Sequence, residues 1–299
     1  MTVETAALTV PAAAKINLYL HITGLREDGY HHLDSLIAFA GIHDTLTLAP
    51  SPDLSLAIEG PYADGLSTGG DNLVMQAADK LRQSAGYDGG AAITLEKNIP
   101  VAAGIGGGSA DAAAVLGGLV RLWDLDATSF DLNDLALSLG ADVPVCLFGQ
   151  AAFVGGIGER ITRAPALPAA WLVLVNPGVA LSTKAVFETR RDGHEGSGAG
   201  GFDDSPATAS VLAGILQTRN NDLEEAAIAL QPQIDFVLKK IQQSEGVLLT
   251  RMSGSGATCF GLFAEAGAAA RAAADLSQRQ PEWWVRATPL LSDARTLAG

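Results

Sequence analysis

The sequence predicts an α+β fold of two domains, and three observations support this prediction. Strand-like segments occupy much of residues 8–58, after which helices and strands mix without the strict alternation that a parallel doubly wound sheet requires. The 299 residues, 48% of them hydrophobic, are enough to bury two moderate cores. A strand followed by an Asn-Pro-Gly turn at 171–178 indicates a transition nearby. We therefore expect domains at 1–165 and 166–299.

In the first domain, alternating apolar and polar residues predict strands, and apolar residues at helical spacing predict helices. The predicted strands are 8–10, 15–22, 45–48, 54–58 and 91–99. The predicted helices are 72–85, 109–122 and 131–139. Ser109 is expected to be the N-cap of the second helix, since a serine oxygen readily accepts from an early helical N–H group.

The second domain follows strands between residues 151 and 175. Its predicted helices are one from about 223, one at 234–243 and one at 266–279, and a strand-turn-strand unit is predicted from 247–250 to 258–263. Two of these helices with a few strands suit a ferredoxin-like domain. Residues 190–205 are rich in glycine and poor in large apolar residues, so they are expected to form a mobile surface insertion.

The segment Pro100–Asp111 contains four glycines and a serine between a predicted strand and a predicted helix. Glycines allow the backbone to approach an anion closely, and the start of a helix adds unpaired N–H donors and the positive end of its dipole. A Walker A loop is disfavoured because the chain has no Gly-Lys dipeptide. A Rossmann fingerprint would need glycine at Ser109 and would normally open the first strand-helix unit. Tight helix-strand packing is the remaining alternative, and the run of three glycines favours phosphate.

Composition limits the function classes. The net charge of −14 argues against a nucleic-acid or anionic-membrane partner. No apolar run is long enough to span a bilayer, and the first residues lack the basic start of a signal peptide. Cys146 and Cys259 lack metal-ligand spacing and are expected to be buried, reduced thiols, so we expect a cytoplasmic protein without a structural zinc site.

Two segments carry polar groups suited to catalysis. Lys15 and Asn17 alternate along a predicted strand, so their side chains share one face and could hold a hydroxyl and a phosphate, or simply lie in solvent on an edge strand. Asp142 lies among small and apolar residues before Pro144, which is expected to end the local structure. It could be a helix cap or a partly buried base, and a neighbouring lysine would keep it ionised.

Two turns could carry recognition groups. The turn at 26–32 presents Tyr30, His31 and His32, either for binding or as a cover over a local core. The glycine loop at 251–256 joins two predicted strands and could lean on the phosphate loop, or be an ordinary hairpin.

Taken together, these segments resemble the GHMP kinases, the superfamily of galactokinase, homoserine kinase, mevalonate kinase and phosphomevalonate kinase. The resemblance runs from about Pro11 to Leu291 and is closest to members whose substrate is a cytidine diphosphate-linked methylerythritol. The matching segments are 15–18, 28–31, 100–111, 140–144, 176–178 and 253–256. Residues 190–205 look longer than the family needs, and Ser35 stands where the family often has threonine.

The resemblance implies a two-domain fold, with a ribosomal-protein-like α/β domain before a ferredoxin-like one, and an ATP-dependent kinase. Asp142 would be the general base for a substrate 2-hydroxyl, and Lys15 would hold that hydroxyl. ATP would bind through the phosphate loop, at Pro100, Gly104, Ile105, Gly106, Gly107, Gly108, Ser109 and Ala110, with Asn72 and Lys97 as weaker candidates. The substrate would contact Asn17, Tyr30, His31, Thr183 and Phe187, with the tyrosine and phenylalanine stacked on cytosine and the histidine bonded to its edge. Mg²⁺ would enter with ATP, held mostly by phosphate and water, without a protein ligand.

Alternatives remain at this stage. Another GHMP kinase, acting on homoserine or a mevalonate derivative, would share the phosphate loop but would have no obvious use for Tyr30, His31 and Phe187. A GHMP-fold ligand sensor without catalysis would not need both Lys15 and Asp142. We expect a small-molecule substrate and a monomer or weak homodimer.

Overall fold

The computed structural model describes residues 7–27, 29–190 and 198–298. Within them, strands β1 to β10 are Leu8–Leu25, His31–Ser51, Ser55–Glu59, Gly90–Glu96, Ala152–Gly156, Arg160–Arg163, Trp171–Asn176, Val247–Met252, Cys259–Phe263 and Trp284–Leu291. Helices α1 to α9 are Leu73–Ala85, Gly107–Leu122, Leu132–Leu139, Val143–Phe148, Thr183–Thr189, Ala209–Gln217, Glu224–Leu230, Gln233–Gln242 and Ala266–Arg279. The predicted α+β class is confirmed.

The strands form one extended sheet in the order β3-β4-β2-β10-β7-β9-β8. Strand β1 forms a long antiparallel hairpin with β2, and β5 also pairs with β2. Strand β10 joins the two halves of the sheet, because it pairs along β7 and, at its last two residues, with β2. The chain therefore returns from its C-terminal part to the centre of the N-terminal sheet.

Two helical layers cover the sheet on the two sides of this junction. In the N-terminal part, Leu46 of β2 and Ile93 of β4 share a buried cluster with Val115 of α2. In the C-terminal part, Val173 of β7 shares a buried cluster with Ile234 of α8. Burial of these apolar faces is the main stabilising contribution to both parts, because apolar area is removed from water. The cleft described below lies between the two parts.

The long hairpin differs from the prediction of short separate strands. Strand β1 continues through Pro11 and the three alanines that follow, which have low strand propensity. It is held by antiparallel pairing with β2, with register shifts between Ala13 and Lys15 and again between Asn17 and Tyr19. Strand β2 begins at His31, where the sequence predicts only a turn. Pairing with β1, β4, β5 and β10 thus overrides local propensity.

Two predictions about helix ends are wrong. Helix α2 begins at Gly107, with Gly106 at the N-cap in the left-handed region (φ 66°), so Ser109 is inside the first turn and does not cap it. Pro144 lies in the first turn of α4 and begins that helix rather than ending the local structure, since proline has the helical φ and the first turn needs no donor. Helices α4, α5 and α6 and strand β10 are additional to the predicted elements.

The predicted mobile insertion at 190–205 falls partly on residues 191–197, which lie outside the described residues. The described part after them is attached to the sheet: the Gly200 N–H donates to Asp34 at 3.1 Å, and Arg219 donates to the Gly200 carbonyl at 3.2 Å. Among the helices of the described residues, none combines the length and apolar character needed to cross a bilayer.

Candidate active site

A cleft of about 1400 Å³ brings most of the predicted site residues together. Its wall is built from β1, β2, the loop before α2, the start of α4, helix α5 and the loop between β8 and β9. Of the predicted residues it is lined by Lys15, Asn17, Tyr30, His31, Asn72, Lys97, Pro100, Gly104, Gly106, Gly107, Gly108, Ser109, Asp142, Thr183 and Phe187. Segments far apart in the chain therefore converge at one place.

Ile105 and Ala110 do not line the cleft, although the resemblance implied that they contact phosphate. Both side chains are buried. The Ala110 N–H donates to the Gly106 carbonyl at 2.8 Å, so it is already used inside α2. The Ile105 carbonyl accepts from the Lys15 N–H at 2.9 Å, which ties the phosphate loop to β1. Both residues therefore hold the phosphate loop in place through buried packing and backbone hydrogen bonds.

The phosphate loop ends in the first turn of α2. The N–H groups of Gly107, Gly108 and Ser109 precede the first i→i−4 bond of the helix and so are available as anion donors. A Cβ on Gly108 would meet no atom of the described residues within 4 Å, so they leave open space beside this turn. The geometry fits a polyphosphate laid across the N-terminus of the helix.

The second glycine loop, residues 253–256, packs directly against the phosphate loop. A Cβ on Gly104 would come within 2.1 Å of the Gly256 carbonyl oxygen, so this approach requires glycine. Thr258, two residues after the second loop, donates from its N–H and its hydroxyl to the Ala103 carbonyl, at 3.2 and 2.5 Å. Of the two alternatives for this loop, contact with the phosphate loop is the one observed.

Lys15 and Asp142 form an ion pair at the cleft wall. Their Nζ and Oδ1 atoms are 3.0 Å apart. The lysine is 4% exposed and the aspartate side chain 44% exposed. Asp142 occupies the N-cap position of α4, yet its side chain makes no capping bond, so the carboxylate is directed to the lysine instead. The alternative in which Asp142 is an ordinary cap is thereby excluded.

Asn17 completes this group on the predicted face of β1. Its Oδ1 accepts from Lys15 Nζ at 2.9 Å, and its Nδ2 donates to the Ser35 hydroxyl at 2.8 Å. Ser35 in turn donates to the Tyr19 carbonyl at 2.5 Å. Ser35 thus holds Asn17 in place, although in the sequence it is notable only as a departure from the family pattern.

Three aromatic residues, Tyr30, His31 and Phe187, also line the cleft. The His31 and Phe187 rings are 5.0 Å apart at 31°. Tyr30 is 60% exposed. Burial, and then the charge of Arg190, lower the pKa of His31, so a neutral imidazole is favoured near pH 7. A neutral imidazole has one donor and one acceptor nitrogen, which suits the edge of a base.

Thr183 shares a hydrogen bond with a residue that the sequence analysis missed. Its hydroxyl oxygen is 2.8 Å from that of Ser255, which belongs to the second glycine loop and also lines the cleft. In the sequence, only the position of Ser255 within the second glycine loop indicates a role at the site. Its contact with Thr183 joins residues that are far apart in the chain, so no local pattern predicts it.

Asn72 and Lys97, the weaker nucleotide candidates, reach the cleft while serving the fold. The Asn72 side chain caps α1 by accepting from the Val74 N–H at 2.9 Å. Lys97 is buried and ion-paired with Asp44 and with Asp111, the latter at 2.7 Å. The two carboxylates outweigh the effect of burial and raise the pKa of Lys97, so its ammonium stays charged. In the part of the chain that the structure describes, no cluster of three or more His, Cys, Asp or Glu residues could hold a metal ion.

Comparison with known proteins identifies the family of this chain. Residues 72–150 match the family described as the GHMP kinases N terminal domain, and residues 207–282 match GHMP kinases C terminal. Together the two matches cover more than half of the chain. The chain belongs to the GHMP kinases.

Curated relatives show to which family within the GHMP kinases the chain belongs. The 4-diphosphocytidyl-2-C-methyl-D-erythritol kinase of Rhodospirillum rubrum is 50% identical over 282 residues, with 94% of this chain and 92% of that protein covered. The enzyme of the same name from Paramagnetospirillum magneticum is 50% identical over 286 residues, with 96% and 99% covered. Within the GHMP kinases, the chain belongs to the 4-diphosphocytidyl-2-C-methyl-D-erythritol kinase family.

Solved structures agree with this assignment. A crystal structure of 4-(cytidine 5'-diphospho)-2C-methyl-D-erythritol kinase has a TM-score of 0.76 and 36% identity, with 95% of this chain and 99% of that chain covered. Homoserine kinase from Cytophaga hutchinsonii has a TM-score of 0.70 at 17% identity, which shows a shared fold.

Proposed function

We propose that this chain is an ATP-dependent kinase that phosphorylates the 2-hydroxyl of 4-diphosphocytidyl-2-C-methyl-D-erythritol, the compound in the names of its relatives, to give ADP and the 2-phosphate. The observation that carries the proposal is the ion pair of Lys15 and Asp142, placed in the same cleft as the open first turn of α2. Phosphoryl transfer needs positioning, charge stabilisation and one base, and this arrangement supplies them.

Asp142 is the proposed general base. Its carboxylate accepts the proton of the substrate hydroxyl as the oxygen attacks the γ-phosphorus and the bond to ADP breaks. The 44% exposure of its side chain leaves room for a hydroxyl to approach. Lys15 holds the attacking oxygen and offsets negative charge on the transferring group, while Asn17 fixes the lysine and contacts the methylerythritol.

The phosphate loop is the proposed ATP site. The N–H groups of Gly107, Gly108 and Ser109 hold the polyphosphate, with the helix dipole favouring its charge. Mg²⁺ arrives with ATP as part of that substrate and is coordinated mainly by phosphate oxygens and water. Because the chain is acidic, backbone donors take the place of the cationic cluster that a more basic protein would use.

The aromatic part of the cleft is the proposed cytosine site. Tyr30 and Phe187 stack on the base, His31 bonds its edge, and Thr183, held by Ser255, contacts the substrate from α5. An aliphatic substrate such as homoserine or mevalonate would use none of these rings. A cytoplasmic location, a monomer or weak homodimer and the domain boundary at 165 remain predictions.

A coupled ADP-release assay on the purified protein tests the proposal. The panel contains the cytidine diphosphate-linked methylerythritol, homoserine, mevalonate and galactose, each with MgATP. We expect turnover with the first compound and at least 100-fold lower kcat/KM with the others. In Phe187→Ala, loss of a stacking contact of about 1 to 3 kcal/mol raises the KM for the cytidine substrate about fivefold to 100-fold.

The KM for ATP in the same Phe187→Ala protein is the internal control, and we expect it to change less than twofold. Preferred turnover of homoserine or mevalonate would assign the chain to another GHMP activity. No turnover of any compound by folded protein would favour the ligand sensor. A parallel change in both KM values with a lower Tm would make Phe187 a packing residue.

A further inference from the structure

A second charged cluster lies directly beneath the phosphate loop. It consists of Asp44 on β2, Lys97 after β4 and Asp111 on α2, which we call the sub-loop cluster. A Cβ on Gly107 would lie 3.2 Å from the Lys97 ammonium and 3.8 Å from a carboxylate oxygen of Asp44. The cluster is therefore in contact with the turn whose N–H groups face the proposed polyphosphate.

The two carboxylates of the cluster differ in how well they are satisfied. Asp44 is fully buried, and its Oδ1 accepts from the N–H groups of Asn98 and Ile99 at 2.5 and 2.8 Å while its Oδ2 accepts from Lys97. Asp111 is 2% exposed and accepts from Lys97 at 2.7 Å. Its Oδ1 is buried and has no hydrogen-bond partner among the residues that the structure describes.

Charge in the cluster is not balanced. Two ionised carboxylates around one ammonium leave a net charge of −1 in a buried place, which is costly. Three donors surround Asp44, so its negative charge is well compensated. Asp111 is the one that can be neutralised, because a proton on its bare Oδ1 removes the excess charge. Burial, with the charge of Asp44, raises the pKa of Asp111 to about 7, whereas Lys97 acts in the opposite direction.

The surroundings of Asp111 contain further charged or titratable groups. Cys146 of α4 is half-buried and lies close enough to interact electrostatically with Asp111, Asp142 and Lys15. Lys15 of β1 and Asp142 at the start of α4 pair with each other, so their charges largely cancel. On the other helices packed against α2, the charged side chains are Asp79, Lys80 and Arg82 of α1 and the exposed Asp134 of α3, and those of α1 bond one another, Gln83 or Ser138.

We propose that Asp111 is a positioning residue of the phosphate loop that takes up one proton from solvent when nucleotide binds. The inference rests on the proposed nucleotide site. Phosphate oxygens arriving above Gly107 add negative charge next to a cluster that already carries an excess of it. Bond formation between the proton and Oδ1 of Asp111 relieves the repulsion, and the Lys97 charge then serves Asp44 and the loop. Neither bond breaking in the nucleotide nor any co-reactant is involved.

The coupling is reciprocal. If bound nucleotide raises the affinity of Asp111 for its proton tenfold, the proton raises nucleotide affinity tenfold. Wild-type protein is then expected to lose about tenfold in affinity for MgADP between pH 6 and 9. Asp111→Asn has the shape of the protonated acid but cannot titrate. Over the same pH range, its affinity for MgADP is expected to fall only as far as ionisation of the nucleotide itself requires.

Isothermal titration calorimetry with MgADP, in buffers of different ionisation enthalpy at pH 7.5, tests this coupling. The buffer dependence of the heat gives the protons taken up per nucleotide, and Asp111→Asn gives the baseline for protons that the nucleotide itself exchanges. We expect wild type to take up about half a proton more than the variant. Equal proton numbers and parallel pH profiles would overturn the inference while leaving the nucleotide site intact. Failure of wild-type protein to bind MgADP at all would overturn both.

A second measurement needs no variant. Infrared difference spectra of wild-type protein with ¹³C-labelled aspartate, recorded at pH 8 with and without MgADP, report protonated carboxyl groups directly. Gain of a protonated aspartate band on binding supports the proposal. Absence of that band contradicts it even where Asp111→Asn does not fold.

Discussion

Two lysine–carboxylate groups flank the phosphate loop, and their environments differ sharply. Lys15 meets Asp142 at the cleft wall, where the aspartate side chain is 44% exposed. Lys97 meets Asp44 and Asp111 beneath the loop, where all three are buried. A Cβ atom added to Gly106 would contact Lys15, and a Cβ atom added to Gly107 would contact Lys97. One lysine–carboxylate group thus lies next to Gly106 and the other next to Gly107.

The difference between the two groups is access. An exposed carboxylate beside a lysine can exchange its partner for a substrate hydroxyl, which suits a base. Buried carboxylates around a lysine cannot, so their contribution is to hold the loop and to set its charge. Removing one charge from the exposed pair should therefore affect turnover, whereas removing one from the buried cluster should affect stability.

The largest expected effect comes from Asp142→Asn. The amide cannot accept the hydroxyl proton as a base, so kcat for the cytidine substrate is expected to fall about 10² to 10⁴-fold, with ATP affinity changed less than threefold. Steady-state kinetics and calorimetry with ATP measure the two quantities. Lys15→Met is expected to act in the same direction, and the double variant should lose less than the product of the single losses, because both residues serve one hydroxyl. Turnover near the wild-type rate in folded Asp142→Asn would remove the base assignment.

Lys97→Met is the corresponding change in the buried cluster. It leaves two buried carboxylates without their counter-ion, so the free energy of unfolding is expected to fall by about 3 to 5 kcal/mol. Urea unfolding at pH 7.5 measures the loss. Lys239→Met is the matched control, because Lys239 forms an exposed pair with Asp235 and its loss is expected to cost at most about 0.5 kcal/mol. Equal costs for the two variants would show that the sub-loop cluster is not a structural ion pair.

The smallest effect sharpens the comparison within the cluster. The pKa of Asp111 is raised by folding, so the folded state keeps a proton that the unfolded chain releases as pH rises from about 4 to 7. The contribution of Asp111 to the free energy of unfolding is therefore fully present below about pH 4 and is lost as the pH rises to about 7. Relative to wild type, Asp111→Asn should therefore gain about 1 kcal/mol or more between pH 4.5 and 7.5.

Urea unfolding at several pH values measures this gain, with Asp64→Asn, an exposed carboxylate, as the control that should show no such trend. A constant difference between Asp111→Asn and wild type across the range would contradict the raised pKa.

Local patterns in the sequence determined much of this protein. The phosphate loop and its helix, the shared face of Lys15 and Asn17 and the helix at Ala266–Arg279 all follow from spacing within a few residues. Several separate motifs in one order were enough to predict the family. These features need only short-range geometry, namely the period of a strand or helix and the conformational freedom of glycine.

Only the tertiary structure decided which charges meet. Asp142 lies 127 residues from Lys15, and Asp44 lies 53 residues from Lys97. Their contacts depend on the register of β1 with β2 and on the packing of α2 and α4 against them, and no local pattern encodes that register. The same long-range pairing made one strand of Leu8–Leu25, and tertiary packing buried Ile105 and Ala110. Local spacing thus determines which groups a segment presents, whereas burial and partner choice arise from the whole fold, because both depend on surface that distant segments cover.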